Sequence, residues 1–129
     1  MPQNLFLFIS GIIGAFAVGL GAMGAHFLKD KITPEQMDTF DKAVLYHFFH
    51  TIALVAIVAL MNKLKTRALI AAGFCFIAGI IFFSGSLYLL STKELLAIEN
   101  WNFLGPMTPI GGIFFIIGWI MIGVSAFRT

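Results

Sequence analysis

Charge disappears from the chain in four long runs. Residues 5–28, 43–61, 68–90 and 106–127 hold no Asp, Glu, Lys or Arg. Each run is close to or above the roughly 20 residues that a helix needs to cross a hydrocarbon core about 30 Å thick. A helix satisfies its own backbone groups in lipid, so the pattern predicts an all-α fold. The expected architecture is an integral membrane four-helix bundle, a single four-span domain over residues 1–129, with both termini on one side. The first run lacks the basic start of a secretory signal and is longer than a signal's apolar region, so it is read as a retained span.

Small residues recur at helical spacing inside these runs. Ser10, Gly14, Ala17, Gly21 and Gly24 share one face of the first helix, while Gly11, Ala15, Gly19, Ala22 and His26 share another. Small side chains let helix backbones approach closely in lipid. Two such faces predict neighbours on both sides and make the first helix the expected centre of the bundle. Gly111, Gly118 and Ser125, spaced by seven, give the last helix its own stripe. Gly14, Gly21, Gly24, Gly111 and Gly118 are therefore the expected packing glycines.

The connections carry their own signals. Thr33-Pro34-Glu35-Gln36 combines a cap residue, a proline at the first helical position and a glutamine three residues after the cap. It predicts a short interfacial helix from Pro34 that runs into the second span. Continued to Met61 it would be about 42 Å long, so it must protrude or bend. Thr108-Pro109 repeats the cap-plus-proline pattern and predicts a helix start there. Gly85, between Ser84 and Ser86, is expected to serve close packing like the other glycines, with a local opening of the third helix as the alternative. Trp101, in the connection 91–105, is placed to sit at the lipid headgroups.

Composition bounds the class. The chain is 60% hydrophobic and 11% charged, whereas an ordinary soluble domain has about 25% charged residues. The net charge of +2 is small and its bearers are scattered, so nucleic acid is not an expected partner. A lone cysteine, Cys75, excludes an intramolecular disulfide or a thiolate metal site and is expected to be a packing residue. Orientation turns on Lys and Arg. Lys63, Lys65, Arg67 and Arg128 fall on the side of the termini; Lys29, Lys31, Lys42 and Lys93 fall on the other. The tie breaks because the second connection is short and concentrates its charge, and short connections weigh most. Both termini are expected in the cytoplasm, with the chain in the cell (inner) membrane.

Depth along the runs shows where chemistry could reside. His26 ends the first run, and His47 and His50 lie near the start of the second; both flank the same connection. Ser84, Ser86, Tyr88 and Thr108 reach the same side from the third and fourth. The half of the membrane at the first and third connections thus gathers His26, Tyr46, His47, His50, Ser84, Ser86, Tyr88 and Thr108 into a polar layer. A titratable side chain in hydrocarbon needs a partner and marks a functional site by default. The simplest expectation is that each histidine bonds a hydroxyl or carbonyl across a helix pair. The alternatives are proton or ion handling, and a haem or metal held by His26 with His50. Trp119 lies too deep for a headgroup anchor and is expected to pack against another helix or a partner.

Four motifs follow in order: Gly21-Ala22-Met23-Gly24-Ala25-His26, Tyr46-His47-Phe48-Phe49-His50-Thr51, Phe83-Ser84-Gly85-Ser86-Leu87-Tyr88, and Gly105-Pro106-Met107-Thr108-Pro109-Ile110-Gly111-Gly112 with Gly118-Trp119. Together they resemble the YgdD/YwdK-type family of small four-span membrane proteins, across nearly the whole chain. The resemblance implies architecture and membrane location. That family is classed as a domain of unknown function, so it implies no catalytic residue. The sequence therefore leads to the expectation of a small, non-enzymatic accessory or assembly subunit of a membrane complex. It would contact the lipid bilayer and other membrane subunits or a second copy, with no catalytic residue and no cofactor or metal. An oligomeric small-molecule or proton transporter and a His-ligated haem or metal protein are the alternatives.

Overall fold

Thr33 starts the longest helix by the mechanism its neighbours predict. Its Oγ1 accepts from the Gln36 N–H at 3.2 Å, and the Gln36 side chain accepts from the Thr33 N–H at 2.9 Å. In the computed structural model, which describes residues 2–127, this helix is α2, Pro34–Met61. It is continuous, so the expected interfacial helix is the first turns of the second span itself. Before it, α1 spans Pro2–Met23 and ends in a π-helical turn, Gly24–Leu28. The third crossing has three parts: α3, Arg67–Gly79; a π-helical turn, Ile80–Ser84; and α4, Gly85–Ser91. The fourth is α5, Leu104–Ser125. All four crossings are long and apolar enough to span a membrane, and no strand occurs among the described residues. Arg128, counted above with the termini, lies outside the described residues.

Packing rests on rings set into glycine notches. Of 15 phenylalanines, Phe6, Phe40, Phe76 and Phe115 are buried, and each meets a glycine of another helix. A Cβ at Gly73 would run into the Phe6 ring, one at Gly24 into Phe40, one at Gly118 into Phe76 and one at Gly79 into Phe115. The last two pairs are reciprocal: α3 sends Phe76 to α5, and α5 returns Phe115 to α3. Lipid tails are as apolar as the side chains, so association in the membrane depends on such close packing rather than on escape from water. The other packing glycines follow the same logic. Gly14 faces the Thr51 methyl and Gly21 faces Val44, while a Cβ at Gly111 would overlap the backbone of Phe83.

That last contact coincides with the π-helical turn. The Gly85 N–H bonds to Ile80 O, five residues back, so the turn is one residue wider than an α-helical turn. For Gly85 close packing is the expected role and a backbone opening the alternative; a Cβ there would meet only Ile80 O, at 3.9 Å, whereas the α5 backbone at Gly111 comes up against the turn at Phe83.

Two expectations need correction. The central element is α2, not α1. α1 packs along α2, with Phe6 touching the middle of α3 at Gly73. Its inner face is Ser10, Gly14, Ala17, Gly21 and Gly24, whereas Gly11, Ala15, Gly19, Ala22 and His26 are all exposed. The order across the molecule is α1, α2, the third crossing, α5. Likewise, the fourth helix does not begin at Thr108-Pro109. It starts at Leu104, and Pro109 lies inside it. The early start costs little at Pro106, because the first N–H groups of a helix have no partner within it. Pro109 does remove one backbone bond, but the buried Leu104 (1% exposed) anchors the extra turn.

Candidate functional site

Each expected polar residue is placed by the helix that carries it, and most are spent on holding two crossings together. Ser84 Oγ, fully buried in the π-helical turn, donates to the Ala43 carbonyl of α2 at 2.8 Å. His47 Nδ1 and the Tyr88 hydroxyl are 2.8 Å apart, joining α2 to α4. The Ser86 and Thr108 hydroxyls bond to each other and join α4 to α5. Thr108 therefore serves as a cross-helix partner instead of a cap.

His50 sits deeper and makes the most determined contacts. The Trp119 indole N–H donates to His50 Nε2 at 3.1 Å, and His50 Nδ1 lies 2.8 Å from the Tyr46 carbonyl. Nε2 must accept from the indole, so the proton sits on Nδ1 and is donated to the carbonyl. Both ring nitrogens are thus engaged in one neutral tautomer. The ring lies flat on Phe115, with centroids 3.6 Å apart and planes 10° from parallel, and meets the Phe76 ring edge-on. His47 differs. It is 5% exposed, and its Nε2 is buried with no hydrogen bond of good geometry, although the Ile13 backbone of α1 lies near it. An unsatisfied buried polar atom costs about 1–3 kcal/mol. It is the one buried side-chain nitrogen or oxygen left in that state among the described residues.

Two expected members fall outside the polar layer. His26 is exposed, on the π-helical turn that ends α1, while His50 faces α5 from the far side of α2. The structure does not bring these two histidines together. Tyr46 is also exposed; its ring meets Phe83 at a tilt of 35°, with centroids 4.5 Å apart. It forms part of a groove of about 640 Å³ between α2 and α5, whose walls include Tyr46, Phe49, His50, Phe83, Phe115 and Trp119. A second, wholly apolar groove of about 290 Å³ separates α1 from the third crossing along Ile12, Ile13, Ile77 and Ile80.

Trp119 and Phe115 are the residues that sequence reasoning did not assign to this site. For Trp119 a signal existed: an indole N–H deep in hydrocarbon needs an acceptor, and the histidines are the strongest acceptors in the runs. For Phe115 there was none, since nothing in the sequence separates it from its neighbour Phe114.

Comparison with known proteins agrees with a membrane location. Residues 20–112 match the family model described as Protein of unknown function (DUF423). The chain is 40% identical over 127 residues to the UPF0382 membrane protein YwdK of Bacillus subtilis, covering 98% of both chains. It is also 40% identical over 126 residues to a UPF0382 membrane protein of Staphylococcus aureus, and 36% identical to one of Staphylococcus haemolyticus, again covering 98% of each chain. No solved structure matches.

Proposed function

Because the chain belongs to this family of membrane proteins of unknown function, we propose that it acts as a small non-enzymatic accessory or assembly subunit of a membrane complex. The outer face of α1 carries this reading. Gly11, Ala15, Gly19 and Ala22 are exposed there, and a Cβ at Gly11 or Gly19 would meet nothing within 4 Å. A glycine inside a helix costs roughly 0.5–1 kcal/mol relative to alanine. At Gly24 or Gly111 a close neighbour offsets that cost; at Gly11 and Gly19 nothing among the described residues does. A stripe of this kind is where a second helix approaches closely in lipid. The partner is another membrane subunit or a second copy of this chain. The membrane is the cell (inner) membrane, and the side bearing the second connection and both termini is the cytoplasmic one, because that connection concentrates Lys63, Lys65 and Arg67 without an acid.

The alternatives gain no support from the polar groups. A haem or metal on His50 would have to displace the Trp119 indole or the Tyr46 carbonyl, and His26 is on the wrong side of α2 to assist. A polar path for a transporter would have to cross the half of the membrane at the second connection, where Ser10 and Ser125 bond only to carbonyls of their own helices.

The test is co-purification in mild detergent, with Gly11→Ile and Gly19→Ile combined as the variant. Wild type should retain a defined partner or a second copy, and the variant should lose it while keeping its helical content. A lone monomer for wild type would sink the proposal.

A further inference from the structure

The geometry points to a binding site for an anionic phospholipid headgroup at the membrane surface on the side of the second connection, independent of the accessory-subunit reading. A cavity of about 390 Å³ opens there between the start of α1, the end of α2 and the start of α3. Its polar lining is Gln3, Lys65, Thr66 and Arg67; its apolar lining includes Met61, Leu64 and Ile70. The two linings match the two halves of a phospholipid, a charged headgroup and the upper part of an acyl chain.

Charge selects the occupant. Lys65 and Arg67 are exposed, and no carboxylate pairs with either among the described residues; the ion pair present there, Lys42–Asp38, lies on the opposite side of the membrane. No acid occupies the first turn of α1 or of α3. No acid among the described residues therefore compensates the positive ends of the two helices, and Arg67 adds a cation at the first position of α3, where an acid would be favoured. Local preference and observed sequence disagree at this point, as happens where a site is built for something outside the chain. An anion in the cavity would reconcile them. Thr66 supplies a further donor. It is 7% exposed, its Oγ1 accepts from the Leu69 N–H, and its own hydroxyl proton has no acceptor among the described residues. Gln3 cannot respond in the same way, because its amide is spent on the Val58 carbonyl and the Asn62 side chain. Basic pockets of this kind between helix ends suit anionic headgroups.

Native mass spectrometry of the purified full chain tests the assignment, with phosphatidylglycerol and phosphatidylcholine of identical acyl chains as probes. One phosphatidylglycerol should be retained per chain in preference to phosphatidylcholine. Each of Lys65→Gln and Arg67→Gln should weaken retention about fivefold, the value of one basic residue near an anionic surface. Arg67→Lys should retain the lipid, as should Lys29→Gln with Lys31→Gln on the opposite side. Equal retention of the two lipids would overturn the proposal, and so would retention unchanged in the Lys65→Gln, Arg67→Gln double variant. Displacement by millimolar inorganic phosphate would also overturn it, by showing a free-anion site in place of a lipid site.

Discussion

At the scale of single residues, the chain's scarce polar groups act as clips between crossings, and His50 with Trp119 is the clip whose geometry is most completely determined. The indole has one donor and the imidazole one acceptor, so removing either leaves the other unpaired in hydrocarbon. Hydrogen bonds between membrane helices are worth about 0.6 kcal/mol on average and up to about 1.7. Trp119→Phe and His50→Phe should each destabilise the chain, and a double-mutant cycle read by denaturant titration in micelles should give a coupling in that range. A coupling of zero would mean that the indole does not hold the imidazole. The depth argument brought His47, Ser84, Ser86, Tyr88 and Thr108 to one level from sequence alone, because depth follows from residue count along a helix. It misjudged His26 and Tyr46, because depth says nothing about which way a side chain turns around the helix axis.

At the scale of helices, the recurring unit is a buried phenylalanine in a glycine notch. The glycine stripes were visible in the sequence, since spacing alone puts Gly14, Gly21 and Gly24 on one face and Gly111 and Gly118 on another. What was not visible is which stripe meets this chain's own helices. The two small-residue faces of α1 look equivalent as sequence, yet one packs on α2 and the other is bare. The rings were equally illegible, because any of 15 phenylalanines could have entered a notch. The difference between filled and bare glycines is measurable. Gly111→Ala drives a methyl group into the Phe83 backbone, which has no rotamer with which to yield, and should cost about 1–3 kcal/mol, as overpacking does. Gly11→Ala meets open space and should stabilise the isolated chain by up to about 1 kcal/mol through helix propensity. Equal effects in the same unfolding assay would mean that the α5 contact is looser than drawn.

At the scale of the whole molecule, the chain is polar in one half of the membrane and cationic at the opposite surface. The face at the first and third connections mixes Lys29, Lys31, Lys42 and Lys93 with Asp30, Glu35, Asp38, Asp41, Glu94 and Glu99, so its four cations are all matched in number and two acids are left over. The second connection cancels nothing. The proposed orientation and the proposed headgroup recognition share one physical cause, since a short uncompensated basic connection is both retained in the cytoplasm and attracted to the anionic cytoplasmic leaflet. Cations simply counted along the chain tie between the two sides; the structure adds that Lys65 and Arg67 line one cavity beside two helix N-termini. Single cysteines in a Cys75→Ala background decide the orientation. In intact cells a membrane-impermeant maleimide should label Asp30→Cys and Glu94→Cys, both on exposed connections, and should reach Lys63→Cys only after the membrane is permeabilised. The reverse pattern would place the basic connection outside, away from the anionic leaflet on which the headgroup site depends.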